Sequence, residues 1–113
     1  MLAKPEVIAA LSALAHPVRL DVFKALVEAG MEGATPTHLA AVLRPEPKQS
    51  TLATHLKELV AARLVVSARD GRSAVYRADY AQMSGVLGFL TMNCCRGLPA
   101  ASTEEVGSSS CSR

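Results

Sequence analysis

Apolar residues recur at helical spacing along most of the chain. Val7, Ile8, Leu11 and Leu14 form one such stripe and predict an amphipathic helix from about Pro5 to Ala15. Proline fits the first turn, where its missing N–H costs nothing. His16-Pro17 ends this helix, because the residue before a proline disfavours helical geometry. Val18, Val22, Phe23, Leu26 and Val27 then mark a second helix that starts at Pro17 and is closed by Gly30. Gly33 predicts a turn, and Thr35-Pro36 pairs an N-cap with a first helical position. A short third helix carries Leu39, Val42 and Leu43. Arg44-Pro45-Glu46-Pro47 cannot continue it. A fourth helix follows, from about Lys48 to Ala62. It buries Leu52, Leu56, Leu59 and Val60, and presents Gln49, Ser50, Thr51, Thr54, His55 and Lys57 on its polar face.

The pattern then changes. Leu64-Val65-Val66 begins a strand and Ala74-Val75-Tyr76 lies on a second. Arg69-Asp70-Gly71-Arg72 sits between them, and Asp-Gly is a strong hairpin signal. A last helix runs from about Tyr80 to Asn93, with Met83, Val86, Leu87, Phe89 and Leu90 giving it a wide apolar face. The remainder is rich in Ala, Ser, Thr and Gly, which predicts a flexible tail. The fold class that results is mainly α with a β-hairpin wing, a winged helix-turn-helix. The third and fourth helices make the helix-turn-helix and the hairpin makes the wing. Residues 1–96 form the domain and 97–113 a cysteine-bearing tail. A domain of this size buries only part of its surface, so dimerisation would help to stabilise it.

Composition refines this picture. Aromatic residues make up 4% of the chain, so the core must be built from Leu, Val and Ala, which suits packed helices. The net charge of +2 indicates little by itself, but its distribution does. From Arg44 to Arg77 there are seven Lys/Arg against three acids, a local +4 that leaves −2 for the rest. A basic middle third beside a polar helix face is what a phosphate-contacting, base-reading surface requires. The candidate DNA contacts are Lys48, Gln49, Ser50, Thr51, Thr54, His55 and Lys57 on the helix, with Arg69 and Arg72 on the wing. The arginines are placed to straddle the backbone or enter the minor groove. The expected partner is double-stranded operator DNA. An enzyme is not expected: the chain has no Gly-rich phosphate loop, no Ser/His/Asp or His/Cys grouping and no carboxylate pair. No apolar run approaches the ~18 residues of a membrane span, and no secretory signal is visible, so a cytoplasmic location is expected.

Three segments together carry a family resemblance. They are Ala15-His16-Pro17-Val18-Arg19-Leu20 and its continuation to Leu26, then Gln49 through Leu59, then Leu64-Val65 with Gly71-Arg72-Ser73-Ala74-Val75-Tyr76-Arg77. Over roughly residues 6 to 95 the chain resembles the ArsR/SmtB family of small winged-helix repressors that sense metals and metalloids. The resemblance implies a homodimer formed through the first and last helices, a pseudo-palindromic operator, and release from DNA when an inducer binds. The wide apolar face of the last helix is consistent with a partner surface.

The cysteines suggest the inducer. Cys94 and Cys95 adjoin at the end of the last helix and Cys111 lies in the tail. Soft thiolates select soft ions, and by the same logic As(III) or Sb(III). The 16 steps from Cys95 to Cys111 span about 20–24 Å as a flexible coil, so Cys111 can return to the pair or cross to a partner. Arg96 nearby favours thiolate. Buried, inert cysteines are the structural alternative. One arsenic-sensing pattern of the family places paired cysteines in the first helix of the reading motif, but Thr37 to Leu43 has none. A zinc-sensing pattern places Asp and His along the last helix, but after Asp79 there is no His. Asn93-Cys94-Cys95 resembles arsenic-responsive members with C-terminal cysteines, some of which sense methylated trivalent arsenic with fewer thiolates. The expected ligands are therefore Cys94, Cys95 and Cys111, for arsenite, methylarsenite or antimonite, with no organic cofactor. Two ligands or three remains an open alternative, as does a repressor in which these cysteines are oxidised with no metalloid.

Overall fold

A computed structural model of the chain describes residues 2–92. Its elements are α1 (Lys4–Leu14), α2 (Pro17–Ala29), α3 (Pro36–Val42), α4 (Gln49–Ala61), β1 (Val65–Asp70), β2 (Ser73–Ala78) and α5 (Tyr80–Thr91), with a single 3-10 turn over Gly30–Glu32. This is the expected order. Local capping sets most boundaries. His16 Nδ1 accepts from the Val18 amide at 3.1 Å, Thr35 Oγ1 from His38 at 3.2 Å, and Asp79 Oδ1 from Gln82 at 3.0 Å. Each satisfies an amide that the helix itself leaves without a partner. At α1 the work is done from inside the helix, where Glu6 reaches back to the Ala3 amide at 2.8 Å.

The exit from α4 was not foreseen. The Leu64 amide donates to the Leu59 carbonyl at 3.1 Å and the Arg63 amide to Val60 at 2.9 Å. Arg63 has φ 67°. This is a Schellman closure with arginine in the position usually held by glycine, and it turns the chain directly into the wing while Leu64 drops into the core. In the wing, β1 and β2 pair antiparallel from Val65↔Ala78 to Asp70↔Ser73. The turn residues are thus Gly71 and Arg72, one position later than Asp-Gly suggested. Gly71 supplies the positive φ, 68°, that a two-residue hairpin needs at its first position.

Apart from Phe23 the core is aliphatic. Val7, Ala10, Val22, Phe23, Leu26, Leu39, Leu52, Leu56, Leu59, Leu64, Val65 and Val86 are all buried. The α4 helix lies at the centre, in contact with α1, α2, α3 and β1. Some apolar positions fall outside this core. Val27 and Val42, placed on helix stripes by their spacing, are exposed, and Val60 is only half-buried. The last helix buries only Val86, while Leu87 and Leu90 are each 53% exposed. Ile8, on α1, is 55% exposed. No described helix is long and apolar enough to cross a membrane. Cys94, Cys95, Cys111 and the 97–113 tail lie outside the described residues.

A third edge joins the wing. The Ala34 amide donates to the Tyr76 carbonyl at 2.9 Å and the Tyr76 amide to Ala34 at 2.8 Å. Gly33 makes this approach feasible. Its φ of 73° and ψ of −166° lie in a region essentially reserved for glycine. A Cβ there would also stand 2.5 Å from the Tyr76 carbonyl oxygen. Gly30 has a similar backbone, φ 71° and ψ −153°, but open space around it. Gly33→Ala is therefore expected to lower stability by more than the ~1–3 kcal/mol of backbone strain alone, and by more than Gly30→Ala. Urea unfolding of the two variants tests this; equal losses would show that the contact with β2 is not tight.

Candidate nucleic-acid interface

The side chains of α4 divide into two faces. Leu52, Leu56 and Leu59 are buried, while Gln49, Ser50, Thr51, Thr54 and Lys57 are exposed. Thr54 Oγ1 donates to the Ser50 carbonyl at 3.0 Å. Its hydroxyl proton is thereby committed, so towards solvent Thr54 presents an acceptor and a methyl group. Unlike α2, α3 and α5, α4 begins without a side-chain cap: Lys48 at its N-cap makes no such bond.

His55 departs from the expected polar face. It is only 9% exposed, and its ring lies 4.5 Å from that of His16, centroid to centroid, at an interplanar angle of 50°. The reason is its phase. Leu52, His55, Leu56 and Leu59 occupy i, i+3, i+4 and i+7, a single helical stripe. His55 joins α4 to the start of α2 and is withdrawn from the candidate DNA contacts.

Strand alternation sorts the wing. Val65, Ser67 and Arg69 share a face with Ala78, Tyr76 and Ala74, and the burial of Val65 and Ala78 shows that this face turns towards the body of the protein. Arg69 thus extends along the α4 side, and Arg72 sits in the turn at the tip. Val66, Asp70 and Arg77 alternate to the other face.

The basic middle third is also redistributed. Arg44 Nη1 donates to the carbonyls of Ala41 at 2.8 Å and Leu43 at 2.7 Å, closing the end of α3. Arg63 lies 3.7 Å from Glu6. With Arg77 turned away, the cations left on the α4 and wing side are Lys48, Lys57, Arg69 and Arg72. Two residues that sequence reasoning did not select, Ser67 and Tyr76, line the cleft between α4 and the wing together with Ala53, Thr54, Lys57 and Val60. Only the strand register, Ser67↔Tyr76, reveals them.

Asp79 is the N-cap of α5, a structural role that accounts for its place at the start of the helix. Among the described residues no group of three His, Cys, Asp or Glu side chains could hold a metal ion.

Burial of His55 beside His16 predicts sensitivity to acid. Burial, then the neighbouring His16 ring and the Arg19 guanidinium, push the pKa of His55 below its ordinary 6.5, with Glu58 opposing. Among the described residues His55 Nδ1 and Arg19 Nε are buried without hydrogen-bond partners. The unfolded chain therefore binds this proton more readily than the folded one. The stabilising contribution of neutral His55 is complete above about 6.5 and is lost as pH falls through its lowered value. Thermal unfolding midpoints should drop on acidification below 6.5, and His55→Gln should give a shallower pH dependence. An identical profile in the variant would assign the acid sensitivity to other groups.

Known proteins similar to this chain agree with the geometry. The helix-turn-helix domain family matches residues 14–68, from the end of α1 into β1. An ArsR-like transcriptional regulator from Rhodococcus sp. RHA1 is 28% identical, with TM-score 0.66 over 93% of this chain and 96% of its own. A protein described as a possible transcriptional regulator for arsenical resistance is 28% identical, with TM-score 0.58 over 83% of this chain and 96% of its own. The antimony-specific transcriptional repressor AntR is 26% identical, with TM-score 0.58 over 83% of each chain. No curated protein matches in sequence. In sequence and fold the chain is therefore similar to ArsR-like winged helix-turn-helix transcription regulators.

Proposed function

We propose that this protein is a homodimeric repressor that binds double-stranded operator DNA and is released by trivalent arsenic or antimony. The carrying observation is the alignment of one exposed polar helix face, Ser50, Thr54 and Lys57, with an arginine-bearing wing on the same side. In this reading α4 enters the major groove, where Gln49, Ser50, Thr51 and Thr54 meet base edges. Lys48, Lys57, Arg69 and Arg72 contact phosphates or the adjacent minor groove.

The dimer would form through α1 and α5. These helices pack together, and Ile8, Leu11, Leu87 and Leu90 stay exposed on them. A second copy covering such a surface would supply the apolar burial that a small domain lacks. The double variant Leu87→Glu/Leu90→Glu is expected to sediment as a monomer with an unchanged helical spectrum, and to lose operator affinity. A stable dimer in that variant would move the interface elsewhere.

The metalloid reading rests on thiol chemistry and on the similarity to an arsenical-resistance regulator and an antimony-specific repressor. The chain's three cysteines, Cys94, Cys95 and Cys111, all lie beyond the described residues. The pair follows closely on α5, so ligand binding there would act on the helix proposed to hold the dimer together. Cys94 and Cys95 would be the core ligands and Cys111 the third, carried on the 97–113 tail. A coupling of ~1–3 kcal/mol would lower operator affinity 5- to 150-fold.

Fluorescence anisotropy on a duplex from the protein's own promoter, under reducing conditions, tests this. Arsenite, methylarsenite and antimonite are expected to release the DNA and zinc is not. Cys94→Ser and Cys95→Ser should bind DNA but ignore the metalloids. Normal release in both variants would sink the thiolate reading, and release by peroxide alone would replace it with oxidation of the cysteines.

A further inference from the structure

The cleft between α4 and the wing is open, with a volume of about 340 Å³. Its polar lining is one cation, Lys57, and three hydroxyls, from Thr54, Ser67 and Tyr76, with no carboxylate. The nearest acids in sequence are directed elsewhere. Glu58 lines a different cleft of α4, with Ser12 and Arg19, and Asp70 alternates to the opposite face of the hairpin. Thr54 has already committed its proton to Ser50. Lys57, Ser67 and Tyr76 are the remaining donors. Among the described residues none of them has a side-chain hydrogen bond or ion pair within the protein. A cation and two free hydroxyls around a space without acids form an anion seat.

The cleft also lies where an anion must pass. A winged helix that reads DNA places its helix in the major groove and its wing at the adjacent minor groove. The boundary between those grooves is a sugar-phosphate strand, which then has to run between α4 and the wing. Resting on the DNA-binding reading above, we propose that Lys57, Ser67 and Tyr76 clamp this dividing strand and hold a backbone phosphate in the cleft. The clamp grips both grooves' common wall, so it sets the register of the helix without regard to base sequence. Tyr76 suits this role because its backbone is fixed in both directions by Ala34 and its hydroxyl is borne on a half-buried ring opposite Ser67.

The test uses the full chain, with a duplex from its own promoter and a shuffled duplex of equal length, titrated across a salt series. Lys57→Gln is expected to reduce the slope of log affinity against log salt by about 0.9. Tyr76→Phe and Ser67→Ala each remove an uncharged donor. They should weaken both duplexes alike, about 3- to 10-fold, with the slope unchanged. Thermal melts confirm that each variant is folded. If the wild type binds but all three variants match it in affinity and slope, the clamp is wrong while the DNA reading stands. Losses confined to the promoter duplex would overturn the clamp in favour of base contacts. Failure of the wild type to bind any duplex would overturn the DNA reading and the clamp with it.

Discussion

The structure depends on the burial of one leucine stripe. Leu52, Leu56 and Leu59 of α4 are essentially inaccessible to solvent, in a core whose other side is built by Val22, Phe23 and Leu26 of α2. A helix turns about 100° per residue, so committing these positions fixes the rest. Ser50, Thr54 and Lys57 must then face away from the core. The polar surface of α4 is thus aimed by the hydrophobic effect acting on its opposite side, and no polar contact needs to orient it. The same stripe draws in His55, which adds a titratable group to the joint between the two helices.

Periodicity and punctuation made most elements legible. His16-Pro17, Thr35-Pro36 and the glycines at 30, 33 and 71 all fall at element boundaries, because capping and positive φ are local requirements. The sequence was less informative where tertiary context decides. His55 has the spacing of a core residue and the chemistry of a surface one; spacing prevailed. Arg44, Arg63 and Arg77 look identical to Arg69 and Arg72 as letters. Their fates diverge through a helix end, a glutamate on α1 and the parity of a strand. Ser67 lies in no motif and Tyr76 in one that assigns its side chain no role; only their register across the hairpin places them beside Lys57.

The first and last helices show a different limit. Their apolar residues are more numerous than one protomer can bury, and Ile8, Leu87 and Leu90 remain in contact with solvent. Periodicity reports which face is apolar but says nothing about what covers it. With few aromatics available, the interior relies on close approach of small residues such as Ala10 and Ala13, so α1 is tied to the body by modest side chains.

The pairing of Ala34 with Tyr76 gives the wing a mechanical character. A free two-stranded hairpin is marginally stable and would flex about its root. Here a third backbone segment, preceding α3, is bonded to β2 on the edge that β1 leaves open. The wing, the loop before α3 and the exit of α4 are thus tied by backbone bonds into a single lever. In the proposed dimer, a signal arriving along α5 would have little freedom to tilt the wing against the reading helix. Its available output would be to reposition the whole lever relative to that of the partner protomer, so that two intact heads would no longer match one stretch of duplex.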